Sequence, residues 1–413
     1  MESNVTLSLT SHDLYQSFKH EERGVKLIKL LLTCVNHAST GDLHRADTCL
    51  HHISQLASVN GDSMQRLTAR FSNALANRLV RCWSGIYKAI SHSRPNNTNL
   101  GWSRQAHYEF PKSFPYMAFA YVVFTEILVK AMSWDCAIHI IDMGSEDPKL
   151  WVPILTKLSH GLMGPPQVMI TCVSDNKELL ENLGTSLLKE TKFLDMSFQY
   201  NPLNVTLKDL TLDMLGVRPG EALVFVSILN LHVLLAEDEG VDTHFRVNEE
   251  NDPIKENKRM PEFLRMLRSM SPKLVLVVEQ ESDHNLARLV DRFVEGLHYY
   301  SAIFDSIDTA NMVGEISGED RIRLEDMVGK EISNIVTCEG LERVERHEII
   351  AKWAIRFSRA RFKPVSLWFE AMEEAQKVIE GCGTVGYKVF DDRHGLMICW
   401  HDRPIHSVSA WII

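Results

Sequence analysis

The chain lacks any cysteine pair at the CxxC spacing that builds zinc knuckles and redox motifs. Its 8 cysteines (Cys34, Cys49, Cys82, Cys136, Cys172, Cys338, Cys382 and Cys399) stand singly. Several sit inside apolar runs such as ITCVS and MICWH, so they read as buried free thiols of a reducing compartment rather than a disulfide frame. Positive charge is also short. With 44 Lys and Arg against 54 Asp and Glu, the formal charge is -10, which disfavours bulk binding to nucleic acid or anionic lipid and leaves room only for a local basic patch. The opening MESNVTLSLTSHD has neither the basic flank nor the apolar run of a secretory signal. The most apolar helical stretch, Phe114 to Met132, is interrupted by Tyr116, Tyr121, Glu126 and Lys130 and fits a core helix rather than a membrane span. There is no GxSxG, no Walker loop, no zinc finger and no basic zipper. His347-Glu348 opens an HExxH pattern without its second histidine.

What is present is core material: 413 residues, 45% of them hydrophobic, enough for a large α/β protein. Residues 1–24 are polar and predict a flexible tail. Helical periodicity follows over Val25–Ala38, Leu43–Ala57 and from a cap at Asp62 to about Ile90. SHSRPNNTNLG, Ser91 to Gly101, predicts a loop. Beyond the Phe114 helix come short apolar runs of β type: Ile138–Ile141, Gln167–Val173, Ala222–Ile228 and Lys273–Glu279, with FQYNP as a further candidate. Amphipathic stretches separate them, the pattern of a parallel sheet covered by helices. Helical patterns return over Asn285–Phe304, Gly318–Ile335 and Glu345–Phe357. Tyr387–Phe390, Leu396–Trp400 and Ser407–Ile412 then read as three strands. The divisions are a tail (1–24), a helical cap (25–108) and an α/β core (109–413).

Five blocks stand in an order that resembles the GRAS family of plant regulators. IHIID (Ile138, His139, Ile140, Ile141, Asp142) is similar to the VHIID motif, and the helical stretches on either side resemble the leucine-rich regions. SPKLVLVVEQESDHN, DRFVEGLHYYSAIFDSID and ERVERHE follow the PFYRE region, and the final block ends in Ser409-Ala410-Trp411, the SAW motif. The wording is nearest the scarecrow-like branch. Two places depart: Pro148, Lys149 and Leu150 precede Trp151 where the family has Gly and Gln, and Ala360-Arg361-Phe362 replaces Ala-Gly-Phe. The resemblance implies a helical cap on a Rossmann-like, methyltransferase-like sheet of parallel or mixed strands. It also implies a nuclear regulator of transcription, active in gibberellin signalling and root development. Its partners would be zinc-finger DNA-binding factors and other GRAS proteins, in homo- or heterodimers, with DNA reached mainly through them and no membrane association. No catalytic residue, cofactor or metal is implied.

The candidate residues have competing readings. A nucleotide or S-adenosylmethionine site needs glycines after the first strand and an acid after the next. Asp142, Gly144 and Asp175 meet that pattern in part; alternatively Asp147 merely caps the next helix, with Pro148 in its first turn. Glu279, Glu281, Asp283 and His284 follow a core strand and could share a metal or acid–base work, or instead form a polar network and a helix cap. Two LxxLL segments, with Leu27, Leu30 and Leu31 in the first and Leu231, Leu234 and Leu235 in the second, could enter a partner's groove or pack in the core. Lys352, Arg356, Arg359, Arg361 and Lys363 could touch phosphates or form a solvated face.

Overall fold

The structure, a computed structural model, describes residues 11–83, 85–86, 89, 106, 109–145, 147–161, 164–236, 258–367 and 369–413. The loop predicted over Ser91–Gly101 lies outside them. In chain order the principal helices are α1 (Ser11–Ser39), α2 (Leu43–Ser54), α3 (Ser63–Arg81), α4 (Tyr116–Ala131), α5 (Pro148–Ser159) and α6 (Lys177–Thr191). They continue with α7 (Arg259–Ser269), α8 (Leu289–Met312), α9 (Gly318–Thr337), α10 (Ile350–Arg359) and α11 (Phe369–Glu380). The strands are β1 (Ala137–Met143), β2 (Gln167–Ser174), β3 (Phe198–Asn204), β4 (Ala222–Ile228), β5 (Leu274–Gln280), β6 (Lys363–Pro364), β7 (Tyr387–Asp392), β8 (Gly395–Trp400) and β9 (Arg403–Ile412).

Two compact units partition the chain. The helical one comprises Met1–Thr98, Leu286–Asp305 and Val328–Cys338. Asp62 starts α3 through a reciprocal capping box with Gln65, satisfying two of the backbone groups a helix start leaves open. The apolar faces converge: Leu27, Leu31, Cys34 and Val35 of α1, Ile53 of α2, and Phe71 and Leu75 of α3 are buried. Segments distant in sequence complete this core. Phe293 of α8 meets Phe71 edge-on at 5.0 Å, Tyr300 donates to Glu331 at 2.9 Å, and Thr337 of α9 donates to the Ala74 carbonyl at 2.8 Å. The predicted tail needs correction. Helix α1 begins at Ser11 and runs through Gly24, because one glycine costs only about 1 kcal/mol inside a helix and does not end it.

The second unit comprises Asn99–Asn285, Ser306–Met327 and Glu339–Ile413. Its sheet has the order β3-β2-β1-β4-β5-β9-β8-β7, with β6 on β9. The first five strands are parallel, and β9 enters antiparallel to β5, pairing Leu276 with Ala410. From Ile405 to Trp411 every β9 residue is buried, as befits a strand inside the sheet. Where β8 passes β9, a side chain at Gly395 would stand 2.0 Å from the Val408 carbonyl oxygen, so glycine is required there. The core on one face gathers Phe225, Leu231, Trp353, Phe357 and Trp411, with the Trp411 ring stacked on Phe357 at 4.7 Å and 7°. Helix α10 starts at Ile350 rather than the predicted Glu345, because Arg343, Arg346, His347 and Glu348 of ERVERHE turn inward and hold that backbone out of helical form.

Candidate functional site

In a doubly wound sheet ligands sit beyond the carboxyl ends of the strands where the order reverses, here between β1 and β4. Asp142 ends β1 at that point and is buried. Its carboxylate is consumed within the protein. Oδ1 accepts the Ser145 amide at 2.8 Å, while Oδ2 accepts the Ser145 hydroxyl and the Trp151 indole N–H at 2.9 Å. Burial pushes the Asp142 carboxyl up, against the lowering pull of the Ser145 and Trp151 hydrogen bonds. Gly144 has φ +109°, and a side chain there would press on Asn230 and the Ile228 carbonyl; packing between strand ends, not ligand approach, demands this glycine. Asp147 caps α5 by accepting from the Lys149 amide at 2.9 Å, with Pro148 in the first turn. Asp175 lies exposed just past β2, where Asn176 caps α6. The IHIID histidine, His139, is buried between Glu221, 3.1 Å from Nδ1, and Thr171, 2.8 Å from Nε2. Burial lowers its pKa more than Glu221 raises it.

A denser polar cluster lies past the end of β5. Glu279 accepts from the backbone of Leu231 at 2.8 Å and from His232 Nδ1 at 2.8 Å. His232 Nε2 faces Glu345 at 3.4 Å, and His347 Nε2 faces the same carboxylate oxygen at 3.2 Å. His347 Nδ1 pairs with His284 Nδ1 at 3.0 Å, and His284 Nε2 with the Ser282 hydroxyl at 3.0 Å. Burial opposes a charge on His232, but Glu279 and Glu345 outweigh it and raise its pKa to about 10. Burial lowers His347 and His284, each further depressed by a neighbouring histidine. Two arginines hold this geometry: Arg343 donates to the His284 carbonyl at 3.0 Å, and Arg346 to Asn285 Oδ1 at 3.1 Å and the Gly340 carbonyl at 3.1 Å. Glu281 accepts the Ile350 amide at 2.9 Å, at the start of α10, and burial pushes its carboxyl up to about 7 against hydrogen bonds from Ser407 and Ile350. Ser282 and Asp283, either of which could cap the following helix by sequence, lie ahead of its start at Leu289, and Asp283 pairs with Lys352 at 2.6 Å.

The structure thus joins Glu279 and His284, two of the sequence candidates, to His232, Glu345 and His347, which sequence reasoning missed as partners. Their only signal is a histidine inside the apolar LHVLL run and the Glu345-Arg346-His347 of ERVERHE. His232, Glu345 and His347 bring three possible ligand atoms within 4.8 Å of one another.

The basic run is divided. Arg356 is buried in a two-point grip on Glu348, at 2.6 and 2.7 Å, and Lys352 is held by Asp283, while Arg359, Arg361 and Lys363 are exposed. Neither Arg356 nor Lys352 is therefore presented to a phosphate in this fold. A cleft of about 800 Å³ opens beside them, between α10 and the β7–β8 turn, with Ile350, Ala354, Arg359 and His394 among its walls. Leu231, Leu234 and Leu235 form a buried 3-10 turn. In the helical unit Leu27 and Leu31 are fully buried and Leu30 half-buried. Leu27, Leu31 and the three leucines of the second stripe are thereby given to packing, while Leu30 keeps part of its surface accessible. No described helix is long and apolar enough to cross a membrane.

Comparison with known proteins fits these features. The GRAS domain family matches residues 27–412. Scarecrow-like protein 3 of Arabidopsis thaliana is 37% identical across 96% of this chain and 90% of its own length. DELLA protein 1 of Medicago truncatula is 30% identical over 95% of this chain, which spans 64% of that longer relative. The crystal structure of SCL7 from Oryza sativa superposes with a TM-score of 0.75 at 26% identity, covering 93% of this chain and 99% of that one. The IHIID strand with its buried Asp142, the inward-turned ERVERHE segment and the interior SAW strand therefore place the chain in the GRAS domain family of plant transcriptional regulators.

Proposed function

We propose that the protein acts in the nucleus as a transcriptional co-regulator without an active site of its own, working through DNA-binding zinc-finger proteins and other GRAS proteins, in gibberellin signalling and root development. The observation that carries this reading is the state of the strand-end crevice. The acid that would meet a cofactor, Asp142, is spent on Ser145 and Trp151, and fold alone does not make an enzyme. Charge supports the borrowed-DNA part. At -10 overall, with Arg356 and Lys352 neutralised by Glu348 and Asp283, long-range attraction to a duplex is weak, and phosphate contacts by Arg359, Arg361 and Lys363 position without specifying.

The test is a binding series at physiological salt. Purified protein alone should show little preference for candidate promoter DNA over scrambled duplex. Partners captured from plant nuclei should restore a sequence-specific ternary complex. Selection of one sequence from a random pool by the isolated protein sinks the co-regulator reading and favours a direct DNA-binding factor. A low-micromolar response to S-adenosylmethionine in calorimetry favours the methyltransferase-like alternative.

A further inference from the structure

We propose that His232, Glu345 and His347 form a site for one divalent transition-metal ion, zinc by its ligand chemistry, that ties the Leu231–Leu235 turn to the segment before α10. The first argument is spacing. Ligands at 2.0–2.1 Å around a tetrahedral zinc lie about 3.3 Å from each other, and the Glu345 oxygen stands 3.4 Å from His232 Nε2 and 3.2 Å from His347 Nε2. The second is direction. His347 is fully buried, yet its Nε2 meets no hydrogen-bond geometry, even with the Glu345 oxygen at that distance. A buried ring nitrogen without such a bond is costly, and an ion seated between His347 Nε2 and Glu345 would give that nitrogen a partner.

The third argument is the far side of each ring. Metal-bound histidines almost always donate their other nitrogen to an orienting partner. His232 Nδ1 donates to Glu279 at 2.8 Å. His347 Nδ1 can donate to His284 Nδ1 at 3.0 Å, provided His284 carries its proton on Nε2 and gives it to the Ser282 hydroxyl at 3.0 Å. One assignment of protons therefore leaves both Nε2 lone pairs available to an ion, with every other ring nitrogen occupied. Any proton on His232 Nε2 leaves to solvent as the metal takes its place. Two imidazoles and a carboxylate are the donor set of zinc and its first-row neighbours, not of magnesium or calcium. Glu345 is 21% exposed in its side chain, so the site opens to water on one side, giving the ion a way in and leaving its fourth position to a water molecule.

The experiment uses the purified full chain, stripped with chelator and titrated with cobalt(II), whose visible ligand-field bands report four-coordinate geometry. One equivalent should bind and be displaced by zinc. His347→Ala should abolish the bands. Glu279→Gln, which keeps an oxygen to accept the Leu231 amide and loses the charge that orients His232, should weaken binding roughly 10- to 100-fold. His51→Ala with His52→Ala, an exposed pair on α2, should change nothing. A wild-type chain without the bands overturns the proposal, as does binding that survives His347→Ala or vanishes with the His51 and His52 changes. If His347→Ala loses its fold by circular dichroism, Glu345→Gln at the solvent-facing edge replaces it. If that also fails to fold, the wild-type spectrum and the Glu279→Gln affinity decide.

Discussion

Arg356 holds Glu348 through two parallel hydrogen bonds, Nε to Oε2 at 2.6 Å and Nη2 to Oε1 at 2.7 Å, with both side chains buried. Asn285 donates to the same carboxylate at 2.7 Å. This pair fastens α10 to the loop after β5. Removing one partner leaves a buried charge unpaired, so Glu348→Ala should cost about 3–5 kcal/mol in chemical denaturation. Arg356→Ala should do the same. If Arg356→Ala leaves stability intact and lowers only DNA affinity, the residue is a phosphate contact after all.

The first leucine stripe gives a separate prediction. Leu27 and Leu31 are wholly buried, so Leu27→Ala or Leu31→Ala should each destabilise the protein by about 2–5 kcal/mol. Leu30→Ala, half-buried, should cost less. Loss of partner capture with unchanged melting in Leu27→Ala would show that the stripe is displayed in solution rather than packed.

Trp411 closes the SAW strand against Phe357. Trp411→Ala should cost roughly 3–5 kcal/mol. Truncation at Pro404 removes every pairing partner of β5 on that side and should give an aggregating protein. A truncated chain that melts like the full one contradicts the assignment of β9 to the sheet interior.

His139 predicts a pH dependence. Its folded pKa is lowered from the ordinary histidine value of 6.5, chiefly by burial and also by Arg218, while Glu221 pulls the other way and Thr171 faces the second nitrogen. As pH falls below 6.5, the unfolded chain takes up a proton that the native state resists, so stability is lost on the acid side and is intact above it. The slope from one such proton is at most about 1.4 kcal/mol per pH unit. His139→Asn should flatten the acid limb of a stability profile. An unchanged limb would assign the acid loss to other groups, such as the buried neutral His406.

The parts of this fold written in local pattern were legible. Strands β1, β2, β4 and β5 stand where the apolar runs are, and Asp62 caps α3 as its position before the run predicts. Helix α10 was misplaced by five residues because periodicity alone cannot tell a helical turn from an extended segment whose Arg343, Arg346 and His347 are drawn inward by hydrogen bonds. The discontinuous helical unit was hidden for a related reason. Phe293 and Tyr300 look like an ordinary amphipathic face until Phe71 is known to be their neighbour. At the candidate site, Glu279 and His284 were visible because they follow a strand. His232 and Glu345 were not, since nothing in sequence brings LHVLL beside ERVERHE.

The position of β9 has a consequence for synthesis. Strand β5 is complete at Gln280, but the neighbour that covers its free edge begins only at Arg403. While the ribosome makes everything between them, the nascent sheet carries an unpaired, apolar edge, the kind of surface that recruits other chains. The growing polypeptide should therefore depend on chaperone shelter until Arg403–Ile412 is translated. A frameshift within β8 would then release a product whose earlier strands are all present and whose sheet still cannot close.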